Sequence, residues 1–158
     1  VRCGADHLSA ILGSMRISDI LRRKGGAVVT IRSDATVADL LDLLDEHRIG
    51  AVVVSDDDGV VVGIVSERDV VGHLHRHRGD PATAPVRDLM TADPVTCTPE
   101  DDVEQLARTM TERRFRHLPV LVEGKLAGIV SIGDVVKQRL DQLQDERDQL
   151  VSYVQQGG

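Results

Sequence analysis

A short segment occurs twice in this chain, and the duplication constrains the fold more than any other feature. Gly-Ile-Val-Ser occupies residues 63–66 and again residues 128–131, each time after an apolar run and with an aspartate three residues beyond the serine. An apolar run that ends in Ser and leads into a valine-rich helical pattern indicates a strand followed by a helix. Two such junctions predict two copies of one folding unit.

The similarity between the copies extends well beyond these segments. Thr30 and Leu40 correspond to Thr96 and Leu106 at an offset of 66 residues (96 − 30), which falls to 65 (128 − 63) after the central turn. Each copy predicts a strand, a helix, a hairpin of two strands and a second helix. The predicted elements are strands 28–31, 49–54 and 60–65 with helices 36–47 and 69–74, then strands 95–97, 115–122 and 125–130 with helices 103–113 and from 133 onward.

Each strand-to-helix junction has the chemistry of a nucleotide site. A helix start offers free N–H groups and the positive end of the helix dipole, which favour an anion. The Asp carboxylate that follows could accept two hydrogen bonds from the vicinal hydroxyls of a ribose. The alternative is that Ser and Asp only cap their helix, which is common at helix starts.

These motifs, together with Arg116-His117-Leu118-Pro119-Val120 and the leading segments at residues 17–21 and 86–90, resemble a tandem pair of cystathionine-β-synthase (CBS) domains, called a Bateman module. The resemblance covers residues 15 to 140. It implies an α/β (α+β) fold of two tandem β-α-β-β-α repeats packed about a pseudo-twofold axis.

The same resemblance divides the chain into five parts. They are a tag or disordered extension at 1–14, the first repeat at 15–78, a linker at 79–85, the second repeat at 86–140 and a C-terminal helical extension at 141–158.

In this family the paired repeats leave two clefts, and many members bind adenine nucleotides there. Cleft A would consist of Ser66, Arg68, Asp69, Thr96, Cys97, Arg116, His117, Leu118 and Pro119. Cleft B would consist of Ser131, Asp134, Thr30, Ile31, Gly50, Ala51 and Val52.

The resemblance also implies roles for the side chains of cleft A. Asp69 would bind the ribose hydroxyls, and Ser66 would contact ribose or phosphate. Arg68 and Arg116 would bind phosphate, because a guanidinium fork matches its oxygens. His117 would add a charge that depends on pH. The adenine would lie among Thr96, Cys97 and Leu118.

The two clefts are not equivalent in sequence. Gly133 and Gly50 stand in cleft B where Arg68 and Arg116 stand in cleft A. Cleft B therefore keeps its ribose carboxylate but loses two cations, which predicts weaker binding of a monophosphate. Lys137, one turn beyond the aspartate, is the alternative source of positive charge.

Composition excludes several classes of function. A net charge of −7 and a pI near 5.3 oppose binding to nucleic acid by phosphate neutralisation, and 1% aromatic residues leave little surface for stacking bases. No apolar run approaches the ~20 residues that span a bilayer, and no signal peptide is visible. We therefore expect a cytoplasmic protein.

Cysteine and histidine do not form a metal motif. Cys3 and Cys97 lie far apart, which argues against a disulfide framework or a thiolate site. His73, His75 and His77 cannot all share one face of a helix, and no carboxylate or thiolate cluster completes a zinc site. A solvated linker is the favoured interpretation of this segment.

The last helix is predicted to continue well past the second repeat. Its residues Val136, Leu140, Leu143, Arg147, Leu150 and Val154 have coiled-coil spacing, and we call them the C-terminal seam. The seam favours contact with a second copy in a homodimer. The alternative is that it packs across the chain's own body.

The sequence thus predicts a regulatory module that binds an adenine nucleotide such as AMP, ATP or NAD(H), senses energy or redox state, and acts on a separate, unidentified partner or through assembly. No nucleophile and base with an orienting group accompany the motifs, so we expect neither an enzyme nor a required cofactor. The alternative is a ligand-free interaction or oligomerisation module.

Overall fold

The computed structural model describes residues 15–77 and 81–156, and the α/β architecture of two repeats is confirmed. In chain order the elements are α1 (Ile17–Lys24), β1 (Thr30–Ile31), α2 (Val37–His47), β2 (Ala51–Ser55), β3 (Val61–Ser66), α3 (Glu67–Arg76), a 3-10 turn (Val86–Asp88), β4 (Thr91–Ala92), α4 (Val103–Arg113), β5 (His117–Val122), β6 (Lys125–Ser131) and α5 (Ile132–Gln156).

The first repeat forms a four-stranded sheet in the order β1-β2-β3-β4. β1 runs parallel to β2, whereas β3 is antiparallel to both β2 and β4. Helix α2 begins after Thr36, whose hydroxyl accepts a hydrogen bond from the Asp39 amide. The central strand β2 is buried from Ala51 to Val54, as expected for a strand covered on both faces.

The second repeat differs from the predicted pattern in its first strand. Residues 95–97 do not form a strand, because only Cys97 reaches β5, where it forms a parallel bridge with Val120. Pairing instead occurs upstream, where Thr91 and Ala92 form β4 on the sheet of the first repeat. The sequence analysis missed β4 because two exposed, short side chains give no apolar alternation.

The leading segment of each repeat packs in the core of the other repeat. Ile17 and Ile20 of α1 are buried in the core of the second repeat, which includes Leu118 and Val130. Val86 and Leu89 of the second leader are buried in the core of the first repeat. The two repeats therefore complete each other's hydrophobic cores.

The glycines of the repeated motif allow this exchange. A Cβ on Gly63 would lie 2.6 Å from Met90 Sδ and 3.0 Å from the Thr91 carbonyl oxygen. A Cβ on Gly128 would lie 2.5 Å from Leu21 Cδ2. Each glycine thus makes room for the leader of the other repeat.

Helix α5 extends far beyond the second repeat and leaves most of the C-terminal seam exposed. Leu140, Leu150 and Val154 are 61%, 67% and 74% exposed. The seam therefore does not pack across the body of the chain.

No helix in the described part of the chain is long and apolar enough to cross a membrane, and the cytoplasmic assignment stays a prediction. Residues 1–14, with Cys3, lie outside the described residues.

Candidate functional site

A cavity of about 390 Å³ opens between the two repeats, and we call it the inter-repeat cavity. The first repeat contributes its hairpin and the start of α3, and the second contributes the segment between α4 and β5. The lining residues are Gly50, Ala51, Ile64, Ser66, Glu67, Arg68, Asp69, Thr91, Arg114, Phe115, Arg116 and His117. Its volume lies within the range of small-molecule sites, roughly 300–1,000 Å³.

Asp69 combines helix capping with a carboxylate oxygen that is available to a ligand. The amide and hydroxyl of Ser66 both donate to Asp69 Oδ2, each at 2.7 Å. The other oxygen, Oδ1, accepts no hydrogen bond from the described residues. The carboxylate of this cavity-lining residue is therefore held in one orientation by its own helix start, and one of its oxygens has no partner among the described residues.

Three arginines bring positive charge to the same cavity. Arg68, Arg114 and Arg116 line it, and none of them forms an ion pair with the residues that the structure describes. Only Glu67 and Asp69 oppose them among the lining residues. Unpaired guanidinium groups beside a fixed carboxylate form a site with one anion-binding part and one hydroxyl-binding part.

Sequence reasoning missed five of the lining residues, which are Ile64, Glu67, Thr91, Arg114 and Phe115. Arg114 ends α4 in the left-handed conformation with φ of 58°, and Phe115 follows it. Phe115 is the chain's single phenylalanine, and it packs against the core of the second repeat while lining the cavity. The cluster Arg-Arg-Phe-Arg-His at 113–117 was the available signal, and only its last two residues were assigned.

His117 lies between the two strand-to-helix junctions. Burial lowers the pKa of its imidazole, and the charges of Lys24 and Arg116 lower this pKa further against the opposing effects of Asp134 and Glu67. The imidazole is therefore neutral at pH 7, and it can offer one donor and one acceptor to a ligand.

The second junction is occupied by a side chain of the protein. Asp134 Oδ2 accepts a hydrogen bond from the Ser131 amide at 2.8 Å and forms an ion pair with Lys24 Nζ at 2.7 Å. Burial raises the pKa of Asp134, but hydrogen bonds from Lys24 and Ser131 outweigh this effect and hold it below its usual value. The sequence analysis did not identify Lys24, which is 110 residues away.

The predicted residues of cleft A are only partly brought together. Ser66, Arg68, Asp69, Arg116 and His117 line the inter-repeat cavity. The other four predicted residues do not line it; they lie in or beside the sheet of the second repeat, and they are Thr96, Cys97, Leu118 and Pro119.

Cys97 and Leu118 are held in the second core. Leu118 is 1% exposed, and the Cys97 thiol lies 3.8 Å from the carbonyl oxygen of Pro119. Burial, followed by the charge of Asp101, raises the pKa of this thiol to about 12. Cys97 therefore stays a neutral packing residue at physiological pH.

The predicted residues of cleft B are also divided. Gly50 and Ala51 line the inter-repeat cavity with Ser66, because they lie at the start of β2, directly beside the end of β3. Ile31 and Val52 are core residues of the first repeat. Thr30 pairs with β2, and its side chain does not line the inter-repeat cavity.

The histidine segment at the end of α3 does not form a metal cluster with described residues. His73 is buried, and its ring stacks on that of His77 with centroids 4.3 Å apart. The helix reaches Arg76, slightly beyond the predicted end at residue 74.

Comparisons with known proteins agree with this architecture. The family model of the CBS domain matches residues 16–76 and 86–141. The crystal structure of the CBS-domain containing protein ATU1752 from Agrobacterium tumefaciens is similar, with a TM-score of 0.76 at 45% identity over 79% of this chain and 99% of that chain.

Two further proteins extend the comparison. The mitochondrial CBS domain-containing protein CBSX3 of Arabidopsis thaliana is 33% identical over 152 residues, which cover 91% of this chain and 74% of CBSX3. The crystallised CBS domain pair of protein MJ0100 shares the fold at 21% identity, with a TM-score of 0.71 over 81% of this chain and 98% of that chain.

Proposed function

This chain belongs to the CBS domain family and carries two CBS domains, and from that premise we propose that it is a non-catalytic regulatory module that binds an adenine nucleotide in the inter-repeat cavity. AMP is the simplest ligand with the required parts, and ATP and NAD(H) contain the same parts. The nucleotide would report energy or redox state to a separate partner or through assembly.

The observation that carries the proposal is the coexistence of two chemistries in one cavity. Asp69 Oδ1 is available to ribose hydroxyls, while Arg68, Arg114 and Arg116 are available to phosphate. In a chain with a net charge of −7, unpaired arginines at one cavity are a specific feature rather than an effect of composition. Phe115 and Ile64 supply apolar surface for the base.

A protein with the same fold supports the adenosine part of the ligand. The CBS domain pair of MJ0100 was crystallised with 5′-methylthioadenosine and S-adenosyl-L-methionine. The arginines of the present chain add a reason to prefer a phosphorylated adenosine, because adenosine alone would leave them without an anion.

A comparison of AMP with adenosine tests the proposal. Calorimetric titration is expected to show that AMP binds about tenfold or more tightly, since a hydrogen bond to a charged group contributes about 1.5–3 kcal/mol. Replacing Arg116 with alanine should reduce this preference, whereas the same change at Arg113, which does not line the cavity, should preserve it. Equal affinities for AMP and adenosine in the unaltered protein would contradict the proposed phosphate site.

We further propose that the C-terminal seam joins two copies of this chain. Helix α5 has 25 residues and is therefore about 37 Å long at 1.5 Å per residue. Its exposed apolar residues follow the spacing of a coiled coil, which buries such residues against an equivalent helix. A second copy supplies that helix without requiring a different partner.

Replacing Leu150 with aspartate is expected to convert the dimer to a monomer, because the charge would be buried within the seam. Light scattering coupled to gel filtration measures the mass directly. The control is Gln149→Asp, which adds the same charge beside the seam and should leave the dimer intact. A monomeric unaltered protein, or a dimer unaffected by Leu150→Asp, would contradict this interface.

A ligand-free interaction module remains the second candidate, because Ser66 and Asp69 also satisfy each other as a helix cap. Native mass spectrometry of the purified protein distinguishes the two. Retained nucleotide mass supports the sensing module, and failure to bind any added adenine nucleotide supports the ligand-free module.

A further inference from the structure

The two strand-to-helix junctions have the same motif but different surroundings. At the first, Asp69 lines the inter-repeat cavity and, among the described residues, its side chain accepts hydrogen bonds from Ser66 alone. At the second, the ammonium of Lys24 lies on the carboxylate of Asp134. The difference arises in the leading segments, which the repeats exchange.

The leaders reach equivalent places and then diverge. Leu21 lies against Gly128, and Met90 lies against the equivalent Gly63. From these contacts to the next equivalent pair, Thr30 and Thr96, the first leader uses nine residues (30 − 21) and the second six (96 − 90). The first leader therefore has three additional residues to place over the junction.

The additional length changes what covers each junction. In the second leader the chain becomes strand β4, and Thr91 pairs with Ile64 at the edge of the cavity. In the first leader the chain stays helical to Lys24, whose Nζ donates to the carbonyl oxygen of Ile129, the equivalent of Ile64, at 3.2 Å. Lys24 therefore contacts the second junction at the position where β4 pairs with the first.

The Lys24 ammonium also occupies a hydrogen-bonding position on Asp134 that a ligand hydroxyl could use. It lies 2.7 Å from Asp134 Oδ2, which is hydrogen-bond distance for a ribose hydroxyl. The side chains of Lys24 and Asp134 remain 39% and 23% exposed, so the pair lies at an accessible junction and not in the core. Asp134 Oδ1 accepts no hydrogen bond from the described residues, so it is the ammonium on Oδ2 that distinguishes this carboxylate from that of Asp69. A ribose that bridges both carboxylate oxygens would have to displace the lysine.

We infer that Lys24 is an internal competitor that closes the second junction, so that the protein binds one nucleotide per chain. This inference rests on the proposed function of the first junction. The two junctions then differ in nucleotide binding for two reasons. One is the Lys24 ammonium at the second junction, and the other is the pair of glycines that stand where the first site has two arginines. Removal of the ammonium should expose the second carboxylate to nucleotide.

The test is the number of AMP molecules bound per chain, measured by equilibrium dialysis at millimolar AMP. We expect one for the unaltered protein, two for Lys24→Met, and one again for the double variant Lys24→Met, Asp134→Ala. Methionine keeps the length and apolar character of the stem. Arg23→Met is the matched control, because Arg23 pairs with Asp141 on α5, and it should leave the number at one.

The possible results separate this inference from the proposed function. One AMP for both the unaltered protein and Lys24→Met would overturn the role of Lys24 while leaving the first site intact. Two AMP molecules in the unaltered protein would also overturn it. No binding by either protein would overturn the proposed function and this inference together. Thermal melts of each variant establish that the titrated protein is folded.

Discussion

Replacing Asp69 with alanine is expected to weaken AMP binding by about 10- to 100-fold, which corresponds to the loss of about 1.5–3 kcal/mol for hydrogen bonds to a charged group. The substitution removes the only carboxylate that Ser66 holds at the cavity wall. Calorimetric titration with AMP measures the change.

This substitution also removes a helix cap, so a matched control is needed. Asp39 caps α2 in the same way, since its Oδ2 accepts hydrogen bonds from the Thr36 amide at 2.9 Å and hydroxyl at 2.6 Å. Asp39→Ala should cost a similar ~1 kcal/mol of stability but leave AMP binding unchanged. Equal losses of affinity in the two variants would assign the effect of Asp69→Ala to helix capping and would contradict a ribose contact.

Replacing Gly63 with alanine is expected to lower the free energy of unfolding by about 1–3 kcal/mol through overpacking. The new methyl group would meet the side chain of Met90 and the backbone oxygen of Thr91, and the backbone cannot move without disturbing β4. The melting temperature should fall by roughly 2–4 °C for each kcal/mol. Calorimetric melting provides the measurement.

Alanine substitutions at two other glycines test whether the loss of stability comes from overpacking. At Gly128 the three atoms nearest to the new methyl group all belong to the flexible end of Leu21, so we expect a smaller loss than at Gly63. At Gly26 no atom lies within 4 Å, and alanine should be neutral or slightly stabilising. A Gly63→Ala variant as stable as Gly26→Ala would contradict the packing of the second leader against the first sheet.

Local patterns predicted the repeat unit well. The apolar stripe predicted helix 36–47, which the structure shows as Val37–His47 after Thr36. Apolar runs around a short turn predicted both hairpins to within two residues of their ends. These elements are set by contacts close in sequence, which a single chain reveals.

The exchange of leaders could not be predicted, because it depends on which core receives an amphipathic segment. Ile17 and Ile20 give the same helical pattern whether they pack on the first or the second repeat. The contact of Lys24 with Asp134 follows from that choice, and no spacing in the sequence indicates it. The division of the predicted site residues has the same origin, since Thr91 rather than Thr96 reaches the cavity.

The central claim is that the cavity between the repeats holds an adenine nucleotide by its ribose and its phosphate. A crystal structure of the protein grown with millimolar AMP tests it most directly. The account predicts AMP in this cavity, with the ribose hydroxyls on the Asp69 carboxylate and the phosphate among Arg68, Arg114 and Arg116. A cavity that contains only solvent, or AMP bound elsewhere with Asp69 untouched, would contradict it.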